Sequence, residues 1–520
     1  MNETDGATAR AEALGWSNEV RARLGRPLRV LHIGNIANNA FNNARIQRQH
    51  GIDADVLSFD YYHIMATPEW EEASFASLPA DAFFPDWRSV DLGDYRRPRW
   101  FASGPLADCS RYLRAHVEKA PEADRLWLRL EHERFIRCSR SLRAQAGLFR
   151  RKIGWKLAYE RKKLNARLGR GEGGAERAAL GAGSLGLAGL EKRWREQRPG
   201  RAMPARRCDL DYYWERFQHF ATLMPHYDIV QGYAIDGLWP LLAGRAYAAY
   251  EHGTLRSLPF EDNPTGRLTA LCFGLADQVL VTNLDCLASA DRLGLDPVSV
   301  LPLPHAFDDE RLRDFAAAHA GLRPPADRIR FFTPARQDWC DGDPNLAKGN
   351  DRFLRAAATL AREGVDFEIV AVRWGRDVGP SQALASELGL GDRLRWVEPM
   401  QKPDLWRAYL TSHAVIDQFA LPAFGGVTFE ALALGRRVLN ALDLTAAQRF
   451  FGTAPPLLVA SSVAEIAAAL RQVAADAPDA AGTGARGAAW IERFHSASRI
   501  MAVQARAYRT LLADAEADKR

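Results

Sequence analysis

The stretch that decides the fold is Phe424–Val438, which has the sequence FGGVTFEALALGRRV and follows the run AVIDQF at 414–419. The run predicts a buried strand, and the stretch predicts a glycine turn, a helix and the start of another strand. Gly425 and Gly426 allow backbone N–H groups to approach an anion, and the helix N-terminus adds its positive dipole end. Glu430 lies about one turn into the helix, where its carboxylate can accept two hydrogen bonds from a ribose diol. The alternative is an ordinary strand-to-helix turn with a carboxylate near its start.

Other apolar runs predict two open parallel sheets. Strands are expected at 29–34, 54–59, 228–233, 247–252 and 278–282, and again at 329–334, 367–372, 394–397, 415–419 and 438–441. Strands that alternate with helical segments are typical of α/β domains. The sequence therefore predicts two similar parallel-sheet α/β domains, with a mostly helical insertion at about 104–225 in the first.

The length of the chain sets the domain organisation. At 520 residues it is too long for one ordinary hydrophobic core. We expect a polar leader at 1–26, an N-terminal domain at 27–310, a C-terminal domain at 311–490, and a final helix at 491–520 that packs back toward the N-terminal domain.

Composition and cysteine usage predict a cytoplasmic protein. The 6 cysteines are scattered without a Cys-x-x-Cys pair, which favours a reducing compartment and argues against a structural zinc site. No apolar run reaches the roughly 18 residues that a spanning helix needs. The first 26 residues are charged and lack an apolar core, which argues against a secretory signal.

Positive charge is concentrated in one segment of the predicted insertion. Residues 139–170 carry eleven basic side chains against the single acid Glu160, although the whole chain has a net charge of only +5. Apolar residues recur there at helical spacing, so one hypothesis is a helix that lies on the anionic inner face of a membrane. The alternative is a solvated amphipathic helix that packs on its own domain. Aromatic side chains are too sparse in the segment to favour nucleic acid as a partner.

Two basic residues follow the first strand of the predicted C-terminal sheet. Arg336 comes just after that strand, and Lys348-Gly349 precedes the next helix. Open parallel sheets bind ligands at the carboxyl ends of their strands, and an arginine with a lysine can neutralise a diphosphate. These residues complement the glycine turn at 424–426.

Together, Arg336, Lys348-Gly349 and the 424–435 run resemble the donor half of a GT-B glycosyltransferase of the retaining glycosyltransferase family 4. The resemblance implies two Rossmann-like domains that face a cleft. It also implies that the basic pair holds a nucleotide diphosphate and that Glu430 takes the ribose hydroxyls. The turn at Gly34 resembles the glycine turn near the acceptor, and 250–253 resembles the strand-end His-Gly of these enzymes.

The resemblance fixes the expected site residues. The catalytic groups are His252, Arg336 and Lys348, and the donor-binding groups are Gly34, Asn35, Gly253, Asp417, Gln418, Phe424, Gly425, Gly426, Val427 and Glu430. One departure is Pro422, which stands eight residues before Glu430 where the family has a glutamate that contacts the sugar. Asp417-Gln418, just before the loop, is the expected substitute.

The resemblance also implies a mechanism without a protein nucleophile. The leaving diphosphate, stabilised by Arg336, Lys348 and the loop amides, assists the acceptor hydroxyl on the same face of the sugar. His252 would stabilise the anomeric centre or orient a sugar hydroxyl. No cofactor and no metal is expected, because the cationic side chains neutralise the diphosphate.

The function predicted from these features is transfer of a sugar from a nucleotide-diphosphate sugar to a hydroxyl of a glycan or lipid-linked acceptor, in polysaccharide or glycolipid assembly. Two alternatives stay open. The missing first glutamate fits a non-catalytic sugar-nucleotide or glycan-binding protein. A nucleotide-sugar epimerase of similar architecture would need an acid/base pair, for which Glu251 and Asp262 are the candidates near His252.

Overall fold

The computed structural model describes residues 6–77, 83–138, 184–341, 347–476 and 480–517. The chain divides into two compact units. The N-terminal unit holds Ala11–Thr282, Ala288–Leu303 and the chain from Met501 onward, and the C-terminal unit holds Pro304–Ile500, Asn283–Leu287 and the residues before Ala11. The basic segment at 139–170 lies outside the described residues, so its membrane and packing hypotheses both stay open.

The N-terminal unit contains a seven-stranded sheet in the order β3-β2-β1-β4-β5-β6-β7. Its strands are β1 (Arg29–Ile33), β2 (Asp53–Phe59), β3 (Phe101–Gly104), β4 (Ile229–Tyr233), β5 (Ala248–Tyr250), β6 (Gln278–Val281) and β7 (Val300–Pro302). All neighbouring strands are parallel, and Leu31 pairs with Asp55 on one side and with Val230 on the other. The strand order reverses direction between β1 and β4, which makes their carboxyl ends the switch point of this sheet.

The C-terminal unit contains a six-stranded sheet in the order β10-β9-β8-β11-β12-β13. Its strands are β8 (Ile329–Thr333), β9 (Phe367–Val372), β10 (Leu394–Val397), β11 (Ala414–Ile416), β12 (Arg437–Asn440) and β13 (Leu458–Val459). These strands are also parallel, and the switch point lies between β8 and β11, where Val415 pairs with Phe332. The predicted α/β class with two parallel-sheet domains is confirmed. The facing of the two domains across a cleft stays a prediction.

Helices connect these strands. Up to residue 300 the α-helices of the described residues are Gly6–Leu24, Asn39–Gln49, Pro68–Glu72, Leu106–Val117, Ala123–Cys138, Leu187–Gln197, Asp211–Ala221, Leu238–Leu242, Pro264–Gly274 and Cys286–Leu293. After it they are Asp309–Ala318, Asn350–Arg362, Val378–Glu387, Lys402–Leu410, Gly426–Ala433, Leu444–Phe451, Val463–Ala475, Ala480–Phe494 and Ala497–Ala517. The described part of the predicted insertion is thus mainly helical, and it begins at the end of the edge strand β3.

The segment expected to be only a polar leader contains a helix, Gly6–Leu24. Its apolar residues Ala13, Trp16 and Val20 recur at helical spacing and are buried. The ring of Trp16 lies 6.4 Å from that of Tyr508, which belongs to the last helix. The buried side of the leader therefore helps to hold the last helix within the N-terminal unit.

A buried polar network also fixes the last helix in the N-terminal unit. His32 on β1 contacts the hydroxyl of Tyr233 through Nδ1 at 3.0 Å and the amide oxygen of Gln47 through Nε2 at 2.9 Å. The amide nitrogen of Gln47 donates to Gln504 at 2.7 Å and to Tyr508 at 2.8 Å. Burial lowers the pKa of His32 to about 4, so the ring is neutral and Nε2 carries its proton toward Gln47. Because every bond in this chain then has a donor and an acceptor, the network is stable without charge.

Candidate functional site

The predicted residues of the C-terminal unit lie at the switch point of its sheet. β8 ends at Thr333, three residues before Arg336, and β11 ends at Ile416, next to Asp417 and Gln418. β8 and β11 are neighbours in the sheet, so their carboxyl ends share one edge. Ligands of open α/β sheets bind in the crevice at this position.

The turn at Lys348-Gly349 is held against the end of β11. The backbone N–H of Phe419 donates to the carbonyl of Lys348 at 2.7 Å, and the N–H of Lys348 donates to the carbonyl of Asp338 at 2.6 Å. Gly349 has φ +70°, and a Cβ there would lie 3.1 Å from the backbone nitrogen of Ala420. Both the conformation and the close approach require glycine. The turn delivers the ammonium group of Lys348 to Gln418, whose Oε1 accepts a hydrogen bond from it.

Asp417 connects the end of β11 to the start of the helix Gly426–Ala433. Its carboxylate accepts a hydrogen bond from the hydroxyl of Thr428 at 2.6 Å, and that hydroxyl accepts one from the amide of Asn440 at 2.9 Å. Burial raises the pKa of Asp417, while the nearby Lys348 ammonium and the Thr428 hydroxyl lower it. Asp417 thus has a structural role that the sequence did not reveal, in addition to its predicted contact with a ligand.

The glycine loop has room in front of it. Gly425 is the N-cap of the helix Gly426–Ala433, with φ −102° and ψ −177°. A Cβ at Gly425 would meet no atom of the described chain within 4 Å, and one at Gly426 would meet only the ring of Phe429, at 3.8 Å. Neither the backbone conformation nor packing inside the protein therefore requires glycine at these positions. The N–H groups at this helix start remain open to an incoming anion.

Arg336 is oriented by a buried carboxylate. Its Nη1 lies 3.3 Å from Oδ2 of Asp338, whose side chain is only 2% exposed against 30% for Arg336. The other oxygen of Asp338 accepts the backbone N–H of Arg376 at 2.9 Å. Asp338 also carries the carbonyl that holds Lys348, so one residue positions both predicted cations. Sequence reasoning missed Asp338, although its place two residues after Arg336 at a strand end was a usable signal.

Glu430 forms a buried ion pair that the sequence did not predict. Its Oε1 lies 2.5 Å from Nζ of Lys402, and its Oε2 accepts a hydrogen bond from the indole of Trp406 at 3.2 Å. Both partners belong to the helix Lys402–Leu410, which no local pattern links to Glu430. A carboxylate has about four acceptor positions, so these two donors leave two for a ribose diol. The predicted ribose contact stays a prediction.

Phe424 and Val427, at the two ends of the glycine turn, differ in burial. Phe424 is buried, and its ring packs against those of Phe451 at 5.4 Å and His495 at 5.6 Å. His495 contacts the carbonyl of His305 through Nε2 at 2.8 Å, and burial lowers the pKa of His495 to about 3. Phe424 is therefore a packing residue that anchors the loop, whereas Val427 is partly exposed beside it.

The N-terminal unit carries a second, separate group of predicted residues. Gly34 follows β1 with φ +95°, and its N–H donates to the carbonyl of Leu57 at 2.9 Å. The amide of Asn35 donates to Asn38 at 3.0 Å and to the carbonyl of Ala66 at 3.1 Å, and its oxygen accepts the N–H of Phe41. Asn35 thus serves its own loop, and its predicted contact with a donor is untested.

His252 and Gly253 follow β5 directly. Gly253 has φ +105°, and its N–H donates to the buried carboxylate of Glu251, which also accepts the N–H of Thr282 at 3.2 Å. The Nε2 atom of His252 is buried and has no hydrogen-bond partner among the described residues. Burial lowers the pKa of His252, against the opposing effect of Glu251. A neutral imidazole with an unpartnered nitrogen is suited to contact a ligand group.

Neither a metal-binding cluster nor a membrane-spanning helix is present among the described residues. Within 6–77, 83–138, 184–341, 347–476 and 480–517, there is no group of three or more His, Cys, Asp or Glu side chains that could hold a metal ion. In the same ranges no helix has the length and apolarity needed to cross a membrane.

No protein-family model and no curated protein matches this sequence. Among solved structures, the chain is similar to a sucrose-phosphate synthase from Thermosynechococcus elongatus, with 18% identity over 58% of this chain and 79% of that one, and a TM-score of 0.43. It is similar to Anabaena HepE in complex with UDP-glucose, with 16% identity, 59% and 84% coverage and a TM-score of 0.42. A glycosyltransferase from Rickettsia africae has 13% identity, 64% and 84% coverage and a TM-score of 0.41. Because these TM-scores are below 0.5, the fold assignment rests on the strand orders of this chain.

Proposed function

We propose that this chain is a retaining glycosyltransferase of GT-B type, which transfers a sugar from a nucleotide-diphosphate sugar to a hydroxyl of a glycan or lipid-linked acceptor. The observation that carries the proposal is the switch point of the C-terminal sheet. There a lysine and an arginine, positioned by Asp338, share one edge with a helix N-terminus whose glycines face open space. Cations and unpaired N–H groups at one edge are what a diphosphate requires.

The roles of the residues follow from charge. When the bond between the sugar and the diphosphate breaks, negative charge grows on the phosphate oxygens. Lys348, Arg336 and the N–H groups of Gly425 and Gly426 would stabilise it with no rearrangement, since they are already fixed. Glu430 would take the ribose hydroxyls through its two remaining acceptor positions. His252 would offer its unpartnered Nε2 to a sugar hydroxyl.

The first experiment is donor binding. A panel of nucleotide sugars is screened by thermal shift, because a ligand that binds only the folded state raises the melting temperature. The best ligand is then titrated by calorimetry into the wild type and into Lys348→Ala. We expect a loss of at least about tenfold in affinity, because a hydrogen bond to a charged group contributes roughly 1.5–3 kcal/mol.

The matched control is Arg355→Ala, which removes one positive charge from an exposed position on the helix Asn350–Arg362. Its affinity should stay within about twofold of wild type, since exposed charges contribute little. Two results would overturn the donor site: no shift with any nucleotide sugar, or equal affinity in the Lys348→Ala and wild-type proteins. The anomeric configuration of the product, read by NMR, tests retention.

A second candidate is a non-catalytic sugar-nucleotide-binding protein. It is favoured by Pro422 in place of the first glutamate and by the engagement of both Glu430 oxygens with Lys402 and Trp406. The two candidates differ in turnover. Slow hydrolysis of a nucleotide sugar by the purified protein, abolished by Lys348→Ala, supports the enzyme; tight binding with no turnover for any acceptor supports the second candidate.

A further inference from the structure

The switch point of the N-terminal sheet carries a carboxylate that the site described above does not use. Asp236 lies in the short 3-10 turn Ala234–Gly237, directly after β4. β4 neighbours β1, whose carboxyl end continues into Gly34. A Cβ on Gly34 would lie 2.6 Å from Oδ2 of Asp236. Glycine at position 34 therefore makes space for this carboxylate at the edge where open sheets bind ligands.

Backbone strain is concentrated at the same edge. Among the described residues, five non-glycine residues have positive φ: Ala37 (50°), Asn38 (52°), Asp60 (53°), Lys119 (54°) and Ala234 (54°). All but Lys119 follow the carboxyl ends of β1, β2 or β4. A left-handed conformation brings the Cβ of a non-glycine residue too close to the following carbonyl oxygen, so it is strained. Such strain persists where the surrounding structure holds a functional geometry.

One oxygen of Asp236 is engaged and the other is not. Oδ1 accepts the indole N–H of Trp239 at 2.9 Å, whereas Oδ2 has no hydrogen-bond partner within the described chain. Burial raises the pKa of Asp236 to about 7, and the Trp239 hydrogen bond only partly opposes this. The group is therefore close to its titration point at neutral pH, and one acceptor oxygen is open.

The titratable neighbours of Asp236 are neutral at pH 7. Tyr212 and Tyr213, from the helix Asp211–Ala221, have pKa values raised by burial. Burial also raises the pKa of Cys272, from the helix Pro264–Gly274, to about 12. Tyr212 is 50% exposed, so a phenol that is close enough to interact electrostatically with Asp236 also faces solvent. A carboxylate within electrostatic range of an exposed aromatic residue suits a sugar, which presents hydroxyls at its edge and apolar C–H groups on its face.

We propose that Asp236 binds a hydroxyl group of the sugar acceptor through Oδ2, and so selects and positions the acceptor in the N-terminal unit. The inference rests on the proposed function, because it concerns the acceptor of that transfer. The hydroxyl donates its hydrogen bond to Oδ2, while Trp239 keeps Oδ1 in place. Asp236 thus acts on acceptor affinity, whereas Lys348, Arg336 and Glu430 act on donor affinity.

The test separates acceptor from donor. The probes are the methyl glycosides of glucose, galactose, mannose and N-acetylglucosamine, titrated by NMR into the full chain. At least one should bind the wild type, and Asp236→Ala should weaken it by about tenfold or more, as expected for a lost hydrogen bond to a charged group. Asp236→Asn keeps a partner for Trp239 and should give a smaller loss. Asp94→Ala, at an exposed position, is the control and should bind as wild type.

The pH dependence gives a readout that a purely structural role would not change. Probe affinity in the wild type should fall as pH drops below about 7, since a neutral carboxyl is a weaker acceptor, and in Asp236→Asn it should be flat. The proposal is overturned if no probe binds the wild type, or if Asp236→Ala binds it normally while remaining folded by circular dichroism. Absence of nucleotide-sugar binding to the wild type would instead overturn the proposed function.

Discussion

The ion pair between Glu430 and Lys402 allows stability and ligand binding to be separated by a double-mutant cycle. The variants are Glu430→Gln, Lys402→Met and the two combined. The pair joins Nζ to Oε1 at 2.5 Å, with side chains 14% exposed for Lys402 and 7% for Glu430. Removing one partner of a buried pair costs about 3–5 kcal/mol because the other charge is left unpaired. Since Lys402 retains some exposure, we expect about 3 kcal/mol for each single variant.

The double variant should recover most of the lost stability. Methionine replaces the lysine stem with an apolar chain of similar length, and glutamine still accepts from Trp406 at the position of Oε2. Replacing both charges by neutral groups is often close to neutral in stability. If the double variant costs about 1 kcal/mol, the coupling free energy, which is that cost minus the two single costs of about 3 kcal/mol each, should reach about 5 kcal/mol in magnitude. The measurement is urea denaturation at pH 7, followed by tryptophan fluorescence.

Donor binding to the double variant then tests the ribose role of Glu430. Two hydrogen bonds from a ribose diol to a carboxylate contribute roughly 1.5–3 kcal/mol each, so their loss should weaken the nucleotide by about 100-fold or more. The ligand is the nucleotide found by thermal shift, and calorimetry measures its affinity. A stable double variant with wild-type affinity would refute the ribose contact and leave Glu430 as a structural residue.

The control cycle uses an exposed pair in the same unit. Arg471 and Glu363 form two hydrogen bonds of 2.7 Å each, but their side chains are 45% and 38% exposed. Water and salt screen such a pair, so Arg471→Met with Glu363→Gln should show little coupling. If the buried cycle shows no more coupling than this exposed one, the reasoning from burial is wrong.

Two further predictions concern the N-terminal network and pH. Tyr233→Phe should lower the free energy of unfolding by about 3 kcal/mol, because its hydroxyl contacts three buried side chains. Tyr247→Phe removes a hydroxyl that donates a single hydrogen bond, to the backbone carbonyl of Cys272; it should cost about 1 kcal/mol, and equal costs in denaturation would contradict this. Stability should fall as pH drops from 6.5 toward 4, since burial lowers the pKa of His32 to about 4 and of His495 to about 3, and only the unfolded chain takes up protons in that window. Thermal denaturation of His32→Gln across this window should show a shallower fall, and an identical profile would speak against a neutral, buried His32.

The elements that the sequence predicted well have strong local signals. β1, β4, β8 and β9 are central apolar strands, and each is found within one residue of its predicted start. The strands that were missed, Phe101–Gly104, Val300–Pro302 and Leu458–Val459, are short edge strands. Two to four residues at an edge lack the length for a periodic signal, and their pairing depends on a neighbour distant in sequence.

Within the candidate site, proximity in sequence separates the predictable contacts from the others. The strand ends at Arg336 and Asp417 were placed by counting along apolar runs. The partner of Glu430 was not, because Lys402 lies 28 positions earlier in a segment with ordinary surface composition. The hydrogen bonds of the His32 network are still harder to predict from the sequence, because Gln47 and Gln504 are 457 positions apart. Such contacts between distant residues form only when the chain folds, and a single sequence carries no local signal for them.

The glycines of the candidate site fall into two groups, those that the fold requires and those that it does not. Gly34, Gly253 and Gly349 have positive φ, and a Cβ on each would lie within about 3.1 Å of a neighbouring atom, so the fold itself accounts for them. Gly425 and Gly426 have neither property. The proposed function explains both glycines as the point where a ligand approaches the start of a helix at the edge of the sheet. Lys348 and Arg336 follow strands of the same sheet, so the proposed ligand is an anion, and this is the physical basis for proposing a nucleotide diphosphate at 424–426.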